Sequence, residues 1–125
     1  MRTFKTAVGE GKHIVEIIAI VCGIDISVVI CGGELYHIGA CALGIPRASL
    51  ENKERVSASA SVICATGHKE DQLARHASLE LAAEFNCRVN AAVGIHINQA
   101  EPADLIKLQE NFYTALAQIK LMLTQ

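Results

Sequence analysis

At 125 residues the chain is long enough to form one domain with a substantial core and needs no disulfide or metal staple to hold it. Hydrophobic residues make up 51% and charged residues 19%, far from a disordered composition, and a formal net charge of -2 offers no basic field for nucleic acid. The longest apolar run, residues 14–24, contains Glu16 and falls short of the ~20 residues that span a bilayer, and the N-terminus has no signal-peptide pattern, so a cytoplasmic protein without membrane or nucleic-acid partners is expected.

In chain order, residues 12–22 are rich in Ile and Val in both alternating phases, which predicts a central strand covered on two faces. Gly23 breaks it, and residues 26–31 resume the β-branched character. Gly32-Gly33 then reads as a hairpin turn, with residues 35–45 as the returning arm. Pro46 is expected to end that arm, and residues 47–55, polar and charged, to form an exposed loop. Residues 56–65 read as a strand with Ser57, Ser59 and Ser61 on one face and small apolar residues on the other. Residues 68–85 place Leu73, Ala77, Leu81 and Phe85 at steps of four, an amphipathic helix. Residues 87–97 form a further strand, and after Pro102 a last helix aligns Leu105, Leu108, Phe112, Leu116, Ile119 and Leu123 on one face.

The order ββββαβα predicts a single α+β domain over residues 1–125, with about five mainly antiparallel strands and two amphipathic helices on one sheet face. The first and last strands are apolar on both sides. That leaves a hydrophobic face to be covered, and a homodimer is the expected cover. The five cysteines, Cys22, Cys31, Cys41, Cys64 and Cys87, lie singly in apolar runs and read as buried thiols. None of the spacings that mark a zinc site occurs, so no metal is expected.

The sharpest local feature is the strand-turn-helix passage of residues 57–69. A glycine turn opening a helix aims free N–H groups and the positive end of the helix dipole at one point, which suits a phosphate. Lys69 adds a charge there, His68 a donor that titrates near neutrality, Gly67 the turn, and Ser59 a hydroxyl from the preceding strand. The alternative is an ordinary helix start capped by Thr66, with Lys69 in water. His37, close to Gly39, reads either as a pocket residue or as a satisfied strand histidine. His96 shares a polar strand face with Asn90 and Asn98, which would make a pocket if it adjoined the serine row. Arg47, directly after Pro46, is a loop guanidinium suited to a phosphate or carboxylate, or else simply solvated. Catalytic signatures such as G-x-S-x-G and H-E-x-x-H are missing, so no catalytic residue is assigned and no self-sufficient enzyme is expected.

Four strings, Tyr36-His37-Ile38-Gly39-Ala40, Ile45-Pro46-Arg47-Ala48-Ser49, Gly67-His68-Lys69-Glu70-Asp71 and Gly94-Ile95-His96-Ile97, together resemble the small LpdD-like proteins associated with gallate decarboxylase, which are prenylated-flavin chaperones. The resemblance spans nearly the whole chain. It implies a fold similar to proteasome assembly chaperones, a dimeric state, and a non-catalytic protein that carries reduced prenylated flavin mononucleotide (FMN) and helps load it into a UbiD-type decarboxylase. It makes His37, Arg47 and His96 candidate pocket residues beside Ser59, Gly67, His68 and Lys69. Two other functions stand against it: an accessory subunit of such a decarboxylase, with His37 or His96 moving a proton, and a structural assembly protein without a small ligand.

Overall fold

The computed structural model describes residues 1–65 and 70–125. The β-branched runs form strands whose alternate residues are buried: Val15, Ile17 and Ala19 in one, Ile26, Val28 and Ile30 in the next. In chain order the elements are β1 (Arg2–Val8), a 3-10 turn at Gly11–His13, β2 (Val15–Cys22), β3 (Asp25–Gly33), β4 (Ala40–Ala48), β5 (Val56–Cys64), α1 (Asp71–Phe85), β6 (Val89–His96) and α2 (Pro102–Thr124). The six strands make one sheet in the order β1-β2-β3-β6-β4-β5, antiparallel at every neighbouring pair except the parallel β3 and β6. This is the expected α+β architecture with one strand more than the sequence suggested.

The extra strand is β1. Phe4, Thr6 and Val8 are half-buried while Thr3, Lys5 and Ala7 are exposed, the alternation of a strand with one face covered. Its charges suit its place at the sheet edge, where they discourage pairing with other chains.

Two local readings are corrected. The tight hairpin lies at Gly23–Ile24, where Cys22 faces Asp25 across a two-residue turn, and not at Gly32–Gly33. Gly33, with φ +77°, instead ends β3, and the chain crosses to β4 with β6 inserted between the two. Pro46 does not end β4, which continues to Ala48, so Arg47 is a strand residue. The reason is a missing neighbour: β6 pairs with β4 only as far as Gly44, so the absent Pro46 N–H leaves no ladder bond unmade.

Both helices lie on one face, α1 over β4, β5 and β6 and α2 over β1 and β2. Between them Phe112, Ile17, Ile30, Leu81, Leu116 and Ile119 are almost wholly buried. Burial of each such side chain contributes about 1.5–3 kcal/mol. The helices meet where Lys120 Nζ lies 2.9 Å from Glu80 Oε1 and the His76 and Tyr113 rings stand edge to face at 5.0 Å. At the start of α2, Glu101 and Asp104 form a reciprocal capping box. His13 Nε2 and Lys12 Nζ reach Asp104 Oδ1 at 2.8 and 3.3 Å, pinning the 3-10 turn to that helix.

Among the described residues the opposite sheet face carries no element apart from the crossing segment 34–39 at one end. Ile18, Val29, Leu43, Ile45 and Ile63 stand exposed on it, between 36% and 80% of their surface accessible. Four of the five cysteines depart from the buried-thiol reading: Cys22, Cys41 and Cys64 are exposed and Cys31 is half-buried, while Cys87 alone is buried. Cys22, Cys31 and Cys41 belong to the uncovered face, so an apolar run in sequence does not mean burial on both sides here. Among the described residues no helix is long and apolar enough to cross a membrane.

Candidate functional site

The parallel pair β3 and β6 end side by side at Gly33 and His96. The crevice beyond the carboxyl ends of parallel strands is a recurrent place for ligands, because chain crossings leave a gap there. Here residues 34–39 cross it. Glu34 N–H donates to the His96 carbonyl at 2.7 Å, Gly39 N–H to the Val93 carbonyl at 2.9 Å, and Tyr36 Oη to Glu16 Oε2 at 2.7 Å. The Tyr36 hydroxyl is pushed up to about 12, first by burial and then by its bond to the Glu16 carboxylate. That carboxylate is in turn held below its ordinary range by Tyr36 and by Lys5, 3.1 Å away.

Gly94 makes the crossing possible. A Cβ there would collide with the His37 carbonyl oxygen and lie 3.1 Å from the His37 ring carbon Cγ. With no side chain in the way, the His37 backbone lies directly on β6, and Cys31 Sγ donates to its carbonyl at 3.6 Å. Burial raises the Cys31 thiol above its ordinary range.

The His37 ring is then aimed at Glu70, the residue that opens α1. His37 Nε2 is 2.8 Å from Glu70 Oε1 and Nδ1 is 3.2 Å from the Leu35 carbonyl, so both ring nitrogens face acceptors. The two side chains keep only 18% and 10% of their surface exposed. Gly39 allows this as well, because a side chain there would meet the Glu70 carboxylate. The His96 ring stands edge to face with His37 at 6.3 Å, and its Nε2 is 3.0 Å from Asn98 Oδ1. Beside this group a cavity of about 380 Å³ opens between the starts of the two helices and the end of β6. Glu70, Gln72, Leu73, His96, Leu105 and Gln109 are among its walls. It presents an apolar floor with a few polar groups, the usual make-up of a small-molecule site.

The structure therefore brings His37 and His96 together although 58 residues separate them in sequence. It does not bring Arg47 and Ser59 to them. Arg47 Nε donates to Ser59 Oγ at 2.8 Å and Arg47 NH1 to the Ala48 carbonyl at 3.1 Å. This pair lies seven residues along β4 from Ala40, itself opposite Val93, a span of roughly 23 Å at ~3.3 Å per residue. Nor does the serine row adjoin the polar face of β6, since β4 runs between them with Cys41, Leu43 and Ile45. The proposed anion turn at Gly67, His68 and Lys69, with Thr66, lies outside the described residues. Among the described cavity walls there is no Arg or Lys. In the sequence Glu70 stands out only as a member of the string Gly67-His68-Lys69-Glu70-Asp71. Its pairing with a histidine 33 residues earlier has no local signature.

Chemically, the site offers two imidazoles, a largely buried carboxylate and several amides around apolar walls. It can hydrogen-bond the polar edge of a ring while aliphatic side chains take the ring face. Among the described residues no group of three or more His, Cys, Asp or Glu could hold a metal ion.

Similarity to known proteins agrees with this architecture. A solved structure described as a novel chaperone complex for yeast 20S proteasome assembly superimposes with a TM-score of 0.58 over 98% of this chain and 95% of the other, at 19% identity, a likeness of fold. No curated relative matches the chain. The model of the prenylated flavin chaperone LpdD-like domain matches residues 9–124, and the chain accordingly belongs to the LpdD-like prenylated flavin chaperone family.

Proposed function

We propose that this protein binds reduced prenylated FMN without turning over a substrate and helps load it into a UbiD-type decarboxylase, working as a homodimer. The observation that carries the reading is the convergence of His37, Glu70 and His96 beside the cavity at the carboxyl ends of β3 and β6, in a member of a prenylated-flavin chaperone family.

The donor set suits the flavin. The pyrimidine edge of an isoalloxazine alternates N–H donors and carbonyl acceptors, which His96, Asn98, Gln72 and Gln109 can meet from this side of the domain. Leu73, Ile95 and Leu105 offer aliphatic surface for the ring face. The phosphate calls for a cationic partner, and the described walls hold no Arg or Lys. His68 and Lys69, the residues immediately before Glu70 in sequence, are assigned to it together with Gly67. Arg47 and Ser59, roughly 23 Å away by strand length, are not assigned to this cavity. The His37 and Glu70 pair would hold the crossing segment against β6 and present a fixed polar wall to the ligand. The bound cofactor would supply the decarboxylase's chemistry only after transfer. The exposed apolar sheet face supports association with a further chain.

The test is transfer. Protein loaded under anaerobic conditions is mixed with apo-decarboxylase, and the flavin is followed by size-exclusion chromatography and decarboxylase activity. Flavin moving to the enzyme faster than from free solution supports the reading. Flavin retained on this protein, or no faster activation, argues against it.

A further inference from the structure

We infer that β5 is a self-pairing edge, joining β5 of a second copy antiparallel about Ser59 to continue the sheet across a two-fold axis. This rests on the homodimer part of the reading above, and it puts the contact between the two copies at the sheet edge instead of on the open apolar face.

Among the described residues β5 pairs with β4 alone. Two backbone hydrogen bonds bracket that ladder: Ala65 N–H donates to the Gly39 carbonyl at 2.7 Å, and Ser49 N–H to the Arg55 carbonyl at 2.8 Å. The register between them is unbroken, so antiparallel alternation assigns the backbone groups of Ser57, Ser59, Ser61 and Ile63 to β4. Those of Val56, Ala58, Ala60 and Val62 then point away from the sheet. An edge of this kind is ordinarily defended by charge, proline or a bulge. The stretch Val56–Cys64 has none of these, whereas β1 at the other edge carries Arg2 and Lys5.

The sequence of the edge selects its partner. Val56-Ser57-Ala58-Ser59-Ala60-Ser61-Val62 reads the same in both directions. Antiparallel pairing about Ser59 sets Val56 against Val62, Ser57 against Ser61, Ala58 against Ala60 and Ser59 against itself. Outward-facing backbone groups meet outward-facing groups throughout, each such pair exchanging two hydrogen bonds. Like meets like with small side chains, and the paired strands themselves carry no charge. The serines fall at the closely spaced pairs, where Cα atoms stand ~4.5 Å apart and hydroxyls hydrogen-bond across strands. Ser59 Oγ already accepts from Arg47 Nε, which leaves its proton to donate across the axis. A strand from a different protein would find no such match in its own sequence except by chance.

The test is sedimentation-equilibrium mass of the full chain beside Ala60→Pro, whose lost N–H is one that β4 does not use. Wild type is expected at twice 13.4 kDa and Ala60→Pro at 13.4 kDa with an unchanged circular dichroism spectrum. A monomeric wild type overturns both this inference and the homodimer reading. A dimeric Ala60→Pro overturns this inference alone, placing association elsewhere, as on the open sheet face. Should Ala60→Pro fail to fold, Ser59→Cys in a chain with Cys22, Cys41 and Cys64 changed to Ser is treated with a mild oxidant. A disulfide-linked dimer is expected, since the paired Cα distance lies within disulfide range. Its absence, or efficient linkage through Ala60→Cys instead, overturns the register.

Discussion

Replacing Gly94 by Ala tests whether the candidate site depends on backbone contact between β6 and the crossing segment. The added methyl would occupy the position of the His37 carbonyl oxygen, with the ring carbon Cγ 3.1 Å away. Neither atom belongs to a flexible side-chain end, so the segment itself must move. It is held by Gly39 N–H on the Val93 carbonyl, Glu34 N–H on the His96 carbonyl and the Tyr36 bond to Glu16, which resist that shift. Overpacking of this kind costs about 1–3 kcal/mol. For 125 residues the unfolding entropy is about 0.26 kcal/mol per kelvin, so Tm should fall by about 4–11 °C. Because the same shift withdraws His37 from Glu70, flavin affinity should fall with it. Differential scanning calorimetry reads the first effect and an anaerobic flavin titration the second. A Gly94→Ala protein that melts within about 1 °C of wild type and binds equally well would refute the reasoning.

Lys69→Ala should weaken binding of reduced prenylated FMN by about 1.5–3 kcal/mol, the worth of a charge-assisted bond, and leave the state of association unchanged; equal affinity by titration would remove Lys69 from the site. Asp104 is held down to about 2, first by the Glu101 N–H and then by His13 and Lys12. Its folded value lies below its unfolded one, so its stabilisation is present above about pH 4 and is lost as pH falls through about 2. The Tm gap between wild type and Asp104→Asn should therefore close over that window, and a gap independent of pH would contradict the assignment. Tyr36 titrates up at about 12, so its stabilising contribution is present below about pH 10 and lost towards 12. Tyrosinate absorbance should show a component with that late midpoint which Tyr36→Phe removes.

The elements most legible in the sequence are those written in local periodicity. Leu108, Phe112, Leu116 and Ile119 in α2 are buried as their spacing predicts, though Leu105 at the same spacing remains 58% exposed at the cavity mouth. β1 has no clear strand signature in the sequence because Arg2 and Lys5 interrupt it, although charge is what an edge strand needs. Gly32-Gly33 resembles a hairpin turn in composition, but β6, more than fifty residues later, takes the place beside β3. Strand order is a long-range property that no local window contains. The same limit governs the site. His37 and His96 stood out individually, but their meeting, and the pairing of His37 with Glu70, depend on that parallel insertion. Gly39 and Gly94 carried the strongest available hint, since glycine within a strand-like string marks close approach, here of a side chain and of a backbone carbonyl.

The most direct measurement is an anaerobic titration of the purified protein with reduced prenylated FMN, with reduced FMN as the control, followed by absorbance and native mass. The account predicts selective binding of one prenylated flavin per chain, diminished in Lys69→Ala and Gly94→Ala. No binding of either flavin would contradict it.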